Sequence, residues 1–150
     1  MRGDGETNGA EAISTLPYVD EHAYEVAAGA TPTWEALQAV VERSFGGARV
    51  ARVARLLGCE DENGFHVARS EPERELALAG RHRYSRYALI FRVDPLAPDR
   101  SRVRAETRAE FPGLQGSVYR ALVIGTRGHV LVTRRILAAV QRRAERSAAA

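Results

Sequence analysis

Lysine is missing from this 150-residue chain, and all 22 basic residues are arginine. Schiff-base chemistry of the aldolase or pyridoxal-phosphate kind, which needs a lysine amine, is thereby excluded. Cysteine occurs once, at Cys59, so neither an intrachain disulfide nor a cysteine-rich metal site can form. No uninterrupted apolar run approaches the roughly 20 residues of a membrane-spanning helix. The N-terminus has no apolar signal segment, and a cytoplasmic location is the resulting expectation. The four histidines are dispersed, with no His-Glu-x-x-His and no other ligand spacing, so no metal is expected. The glycines at 113, 116, 125 and 128 do not follow a strand in the order of a phosphate loop, and no serine elbow is present. No cofactor is expected. The net charge of +3 is too mild an excess to point to a nucleic acid.

What is present is ordinary globular material. An apolar fraction of 45% beside 27% charged residues fits one domain with a real core. Residues 1–16 are glycine-rich and polar and predict a disordered tail, leaving 17–150 as a single domain. From Tyr18 to Ala27 the pattern alternates, with His22, Tyr24 and Val26 on one side and Glu21 and Glu25 on the other, which predicts a half-buried strand. Thr31-Pro32-Thr33-Trp34-Glu35 opens a helix, with Thr31 as the cap and Trp34, Leu37, Val40 and Val41 inward. Residues 48–57 read as a short second helix or as a strand. From Gly64 to Phe111 the period is two. Phe65 and Val67 open one strand, Leu76 and Leu78 mark the next, and Tyr87, Leu89, Phe91 and Val93 a third. The clearest strand follows, with Val103, Ala105, Thr107, Ala109 and Phe111 inward and Arg102, Arg104, Glu106, Arg108 and Glu110 outward.

After Pro112-Gly113, the stretch from Leu114 to Arg146 reads as one long helix. Arg120, Arg127, Arg134 and Gln141 recur every seven residues on the wet side. Val118, Leu122, Gly125, His129, Val132, Ile136 and Val140 form the opposite stripe. Gly125 and His129 are out of place there: a mid-helix glycine costs about 1 kcal/mol, and an imidazole on a core face needs a partner. The expectation is an α+β fold of five antiparallel strands curved around this helix, with a cavity behind its weak centre.

The layout resembles the helix-grip fold of the START-like, or SRPBCC, superfamily, which includes polyketide cyclases and lipid-transfer domains. Ala30 to Leu37 is similar to the turn and first helix of many bacterial members, and Glu75 to Leu89 and Tyr119 to His129 resemble a bacterial domain family of unknown function placed there. The resemblance spans nearly the whole chain after the first residues. It implies a fold; no universal catalytic motif comes with it, so function rests on the site.

Two functions compete, and a third role stands beside them. The first is a binding protein for a hydrophobic, lipid- or polyketide-like molecule, held between the sheet and the C-terminal helix. The expected lining is His22, Tyr24, Arg83, Tyr87, Leu89, Phe91, Ala105, Thr107, Leu122, Gly125, His129 and Val132, apolar walls with a few polar groups. The second is a cyclase- or dehydratase-type enzyme with His129 as acid or base, aided by Tyr87. Against both stands the plain alternative that the histidine and the tyrosines are satisfied core residues. Ile124 and Leu131 fall near the arginine side of the helix, which fits an interaction surface such as a homodimer contact.

Overall fold

The computed structural model describes residues 13–47, 64–82 and 84–150. The expected element at 48–57 lies outside them. Strand β1 (Tyr18–Val26) is followed by helix α1 (Ala30–Phe45). Strands β2 (His66–Glu71), β3 (Glu75–His82), β4 (Ser85–Ala97) and β5 (Arg100–Glu110) come next, and helices α2 (Gly113–Val123) and α3 (Gly128–Ala149) close the chain. The strands form one antiparallel sheet in the order β1-β5-β4-β3-β2. This is the expected α+β architecture, a curved sheet gripping a C-terminal helix.

Period-two patterning decides which face each strand buries. Val103 and Ala105 are fully buried, as is Phe91, and with Leu76, Leu78, Leu89 and Val93 they form the concave surface. Trp34 and Leu37 of α1 and Ile136, Leu137 and Val140 of α3 fill it from above. Thr31 does not cap α1. Gly29 holds that position without a side-chain bond, and the Thr31 hydroxyl donates to Glu73 instead at 2.7 Å. Thr33 is buried and shares a 2.7 Å hydroxyl–hydroxyl bond with Ser101, tying the helix to β5.

The convex face is not simply wet. Ile13 and Leu16 are buried against Ala77, Ala88 and Ile90, so this end of the expected tail is packed on the sheet. Beside it runs a ladder of charges across four strands. Arg69 bonds Glu75, Arg92 reaches Glu75 at 2.9 Å and Glu106 at 2.6 Å, and Arg108 bonds Glu106. Arg108 also donates to the Leu16 carbonyl at 2.9 Å. Burial pushes the Glu106 carboxyl up, but its bonds to Arg92 and Arg108 prevail and hold it below the usual carboxylate value.

The single helix expected from Leu114 to Arg146 is two. Arg127 takes left-handed backbone angles, φ 54° and ψ 21°, between α2 and α3. Such angles stop a helix. Gly125 and Gly128 flank the break and weaken helix on both sides. The Thr126 hydroxyl turns back onto the Leu122 carbonyl, and the amides of Ile124 and Gly125 both reach the Arg120 carbonyl. The change of phase splits the expected inward stripe. Ile136 and Val140 are buried, whereas Val118, Leu122 and Val132 are 64%, 61% and 53% exposed and Gly125 lies on the surface.

Candidate functional site

Asp20, His22, Tyr24 and Val26 share one face of β1, because side chains alternate along a strand. Val26 enters the core and Tyr24 packs on its edge. Farther out, the Asp20 carboxylate bonds His22 Nε2 at 3.2 Å and, from the first turn of α3, His129 Nε2 at 2.9 Å. The side chains of His129, His22 and Asp20 are 14%, 17% and 24% exposed, so this cluster is largely withdrawn from water. A carboxylate that orients an imidazole is the arrangement acid–base chemistry uses.

Two polar atoms are left over at this site, and Ser85 Oγ elsewhere is the third such atom among the described residues. Asp20 Oδ1 and Thr107 Oγ1 are buried without a hydrogen-bond partner among the described residues. Asp20 and Thr107 face each other in the β1–β5 register. Buried polar atoms are nearly always paired, so two orphans on neighbouring strands mark a place for a water or for a polar group of a ligand.

The same cross-strand row continues from Thr107 to Leu89 and then to Leu78. Leu78 belongs to the second feature, a cleft of about 350 Å³ between the end of α1 and the β2–β3 hairpin. Val41, Phe45, Phe65, Val67, Leu76 and Leu78 supply apolar walls; Gln38, Glu42, His66 and Ser70 supply polar lining. Phe65 packs between Phe45 and Tyr87, with ring centroids 4.8 Å and 4.9 Å away. The Tyr87 hydroxyl donates to the Gly64 carbonyl at 2.6 Å. Gly80 makes this close approach feasible, since a Cβ there would stand 2.1 Å from the Gly64 oxygen and 2.2 Å from the Tyr87 ring.

The expected lining therefore separates into four groups. His22 and His129 meet through Asp20, with Thr107 alongside. Leu89, Phe91 and Ala105 belong to the packed core, at 7%, 0% and 0% exposure, rather than to a hollow under α3. Tyr87 stands in the aromatic row near the cleft, and Tyr24 at the core margin. Leu122 and Gly125 are corrected to surface positions, for the reason given by Arg127, and so is Val132, which lies at the edge of the buried face of α3 beside Thr133. Arg83 lies outside the described residues. Asp20 was absent from the expectation, although its place two residues before His22 puts it on the same strand face. A second cavity, of about 320 Å³, lies between α2 and the strand ends, where Tyr18, Phe111, Ser117, Arg120 and Ile124 line it.

These features sit on a fold with known examples. No family model and no curated protein matches the sequence. Solved structures do match in shape, and among them are aromatase/cyclases and a norcoclaurine synthase. The di-domain aromatase/cyclase StfQ of the steffimycin biosynthetic pathway aligns with a TM-score of 0.58 at 14% identity, over 94% of this chain and 55% of that one. The Zhui aromatase/cyclase from Streptomyces sp. R1128 gives 0.52 at 19% identity, over 87% of this chain and 94% of that one. Truncated norcoclaurine synthase from Thalictrum flavum gives 0.50 at 14% identity, over 85% and 95%. At such identities the likeness establishes the fold.

Proposed function

We propose that this protein binds a hydrophobic small molecule, lipid- or polyketide-like, in the cleft between α1 and the β2–β3 hairpin. The observation that carries the reading is the cleft itself. Its volume of about 350 Å³ falls within the roughly 300–1,000 Å³ of small-molecule sites, and aromatic and aliphatic walls with a few polar groups are the usual lining. The aromatase/cyclase neighbours support the choice of ligand class. Two exposed lining residues, Ser70 and Val67, allow a test that leaves the core intact. Ser70→Trp fills the cleft and Val67→Asp places a charge in its wall. Each is expected to weaken binding of the fluorescent apolar probe anilinonaphthalene sulfonate by about tenfold, the equivalent of roughly 1.4 kcal/mol. Unchanged probe affinity in both folded variants would remove the cleft from consideration. Native mass spectrometry of the freshly purified protein then gives the mass of any ligand carried along.

A second reading, an acid–base enzyme of the cyclase or dehydratase type, draws on the other feature. His129 would move the proton, Asp20 would orient it, and the substrate's polar group would meet Asp20 Oδ1 and Thr107 Oγ1. Turnover would fall by about 10²-fold or more in His129→Gln and Asp20→Asn, the usual scale of acid–base catalysis, while probe binding in the cleft stayed the same. Equal activity in all three proteins would dismiss this reading and leave the first standing.

A further inference from the structure

The net charge of +3 conceals an uneven distribution. Between Glu110 and Glu145 there is no acidic residue, while six of the 22 arginines lie there, at 120, 127, 134, 135, 142 and 143. That stretch carries six positive charges, and the other 16 basic and 19 acidic residues leave the remainder at −3. Much of the remainder is also neutralised locally, since Arg69, Arg86, Arg92, Arg102, Arg104 and Arg108 are all held in ion pairs.

The same stretch exposes large apolar side chains. Leu114, Val118 and Leu122 recur every fourth residue on one face of α2 and are 89%, 64% and 61% exposed. The opposite face, with Ser117 and Arg120 and the following Ile124, leans over the crevice at the strand ends. The stripe therefore points away from the body. Beyond the Arg127 break, Leu131 and Val132 are each 53% exposed, next to exposed Arg134 and Arg135.

We propose that α2 and the first turns of α3 form a face that docks on an anionic lipid bilayer. Exposed apolar residues among arginines, in a stretch of sequence that holds no carboxylate between Glu110 and Glu145, match a surface that offers both hydrocarbon and negative charge. A nucleic acid would satisfy the arginines but not the leucines. A twofold contact with a second copy would set the acid-free stretch against itself, arginine facing arginine. The helix lies on the bilayer rather than crossing it: its 11 residues extend about 16 Å, and no helix among the described residues is long and apolar enough to span. This inference does not depend on the ligand or the enzyme reading.

Co-sedimentation of the full chain with vesicles tests it. Binding is expected to phosphatidylcholine vesicles containing roughly one third phosphatidylglycerol, to weaken with added salt, and to be slight with phosphatidylcholine alone. Leu114→Asp with Leu122→Asp should lower affinity at least tenfold. Arg134→Gln with Arg135→Gln should lower it roughly thirtyfold on the anionic vesicles, about a factor of five for each basic residue near such a surface. Circular dichroism checks that both variants fold. Failure of the wild-type chain to sediment with anionic vesicles overturns the proposal, as does unaltered binding by both variants. It is equally overturned if light scattering finds a dimer that the Leu114→Asp, Leu122→Asp variant dissolves, because the face is then covered by a second copy.

Discussion

Glu106→Gln is expected to destabilise the protein by about 3 kcal/mol, the lower end of the range for breaking a buried ion pair. Glu106 is 6% exposed and accepts from both Arg92 and Arg108. The amide would lose the charge that both guanidinium groups face, although each keeps partial access to water. For a chain of this size the loss corresponds to a fall of roughly 6–12 °C in melting temperature. The pH dependence follows from the direction of the shift. The carboxyl is held below its ordinary value in the folded state, so its contribution is complete above the ordinary carboxylate range. It is lost as pH falls from there through the folded-state value. Urea titrations of both proteins across that acid range measure this. The wild type should lose its advantage as pH falls, with the variant changing less. A variant within about 0.5 kcal/mol of wild type at neutral pH, the scale of an ordinary surface substitution, would reduce the ladder to a set of solvated pairs.

Phe91→Ala is expected to cost about 3–5 kcal/mol, as truncation of a large buried aromatic does. Phe91 is fully buried on β4 in the core cluster that includes residues of both packing helices. The experiment separates two pictures of the interior. If Phe91 lined a hollow, its removal would enlarge an existing space and lose few contacts. In a packed core it opens a new cavity whose walls lose dispersion contacts outright. Urea unfolding that finds less than about 1 kcal/mol of destabilisation, far under the usual range, would restore the hollow under α3.

How far the sequence reveals this arrangement depends on the kind of signal. Strand β5 is legible because small or apolar residues alternate with charged ones from Ser101 to Glu110, although the burial of Glu106 beside Ala105 is not readable from that pattern. Trp34, Leu37 and Val41 disclose the buried side of α1 by helical spacing. Arg127 defeats the same reasoning. A helical wheel assumes one phase throughout, and a single left-handed residue resets it, so that Val118 and Leu122 of α2 no longer share a face with Ile136 and Val140, while Val132 falls at the edge of the buried row that Thr133 begins. Nothing in a local pattern marks arginine for that conformation; the glycines on either side reveal weakness but not where the break falls. Ile13 and Leu16 are illegible for another reason. Two apolar residues in a polar stretch have no period, and only the apolar patch of Ala77, Ala88 and Ile90 gives them a seat. At the candidate site, the pairing of His22 with His129 depends on a contact across 109 positions through Asp20, which no spacing along the chain encodes.

The row Asp20, Thr107, Leu89, Leu78 acts as a ruler laid across the sheet. Adjacent strands lie about 4.8 Å apart, so its polar and greasy ends stand roughly 14 Å from each other. Leu89, nearly sealed at 7% exposure, occupies the middle. A single ring lodged at the Leu78 end is too short to touch His129. The cleft and the Asp20–His129 cluster are thus spatially separate, so a substitution in one leaves the contacts of the other in place.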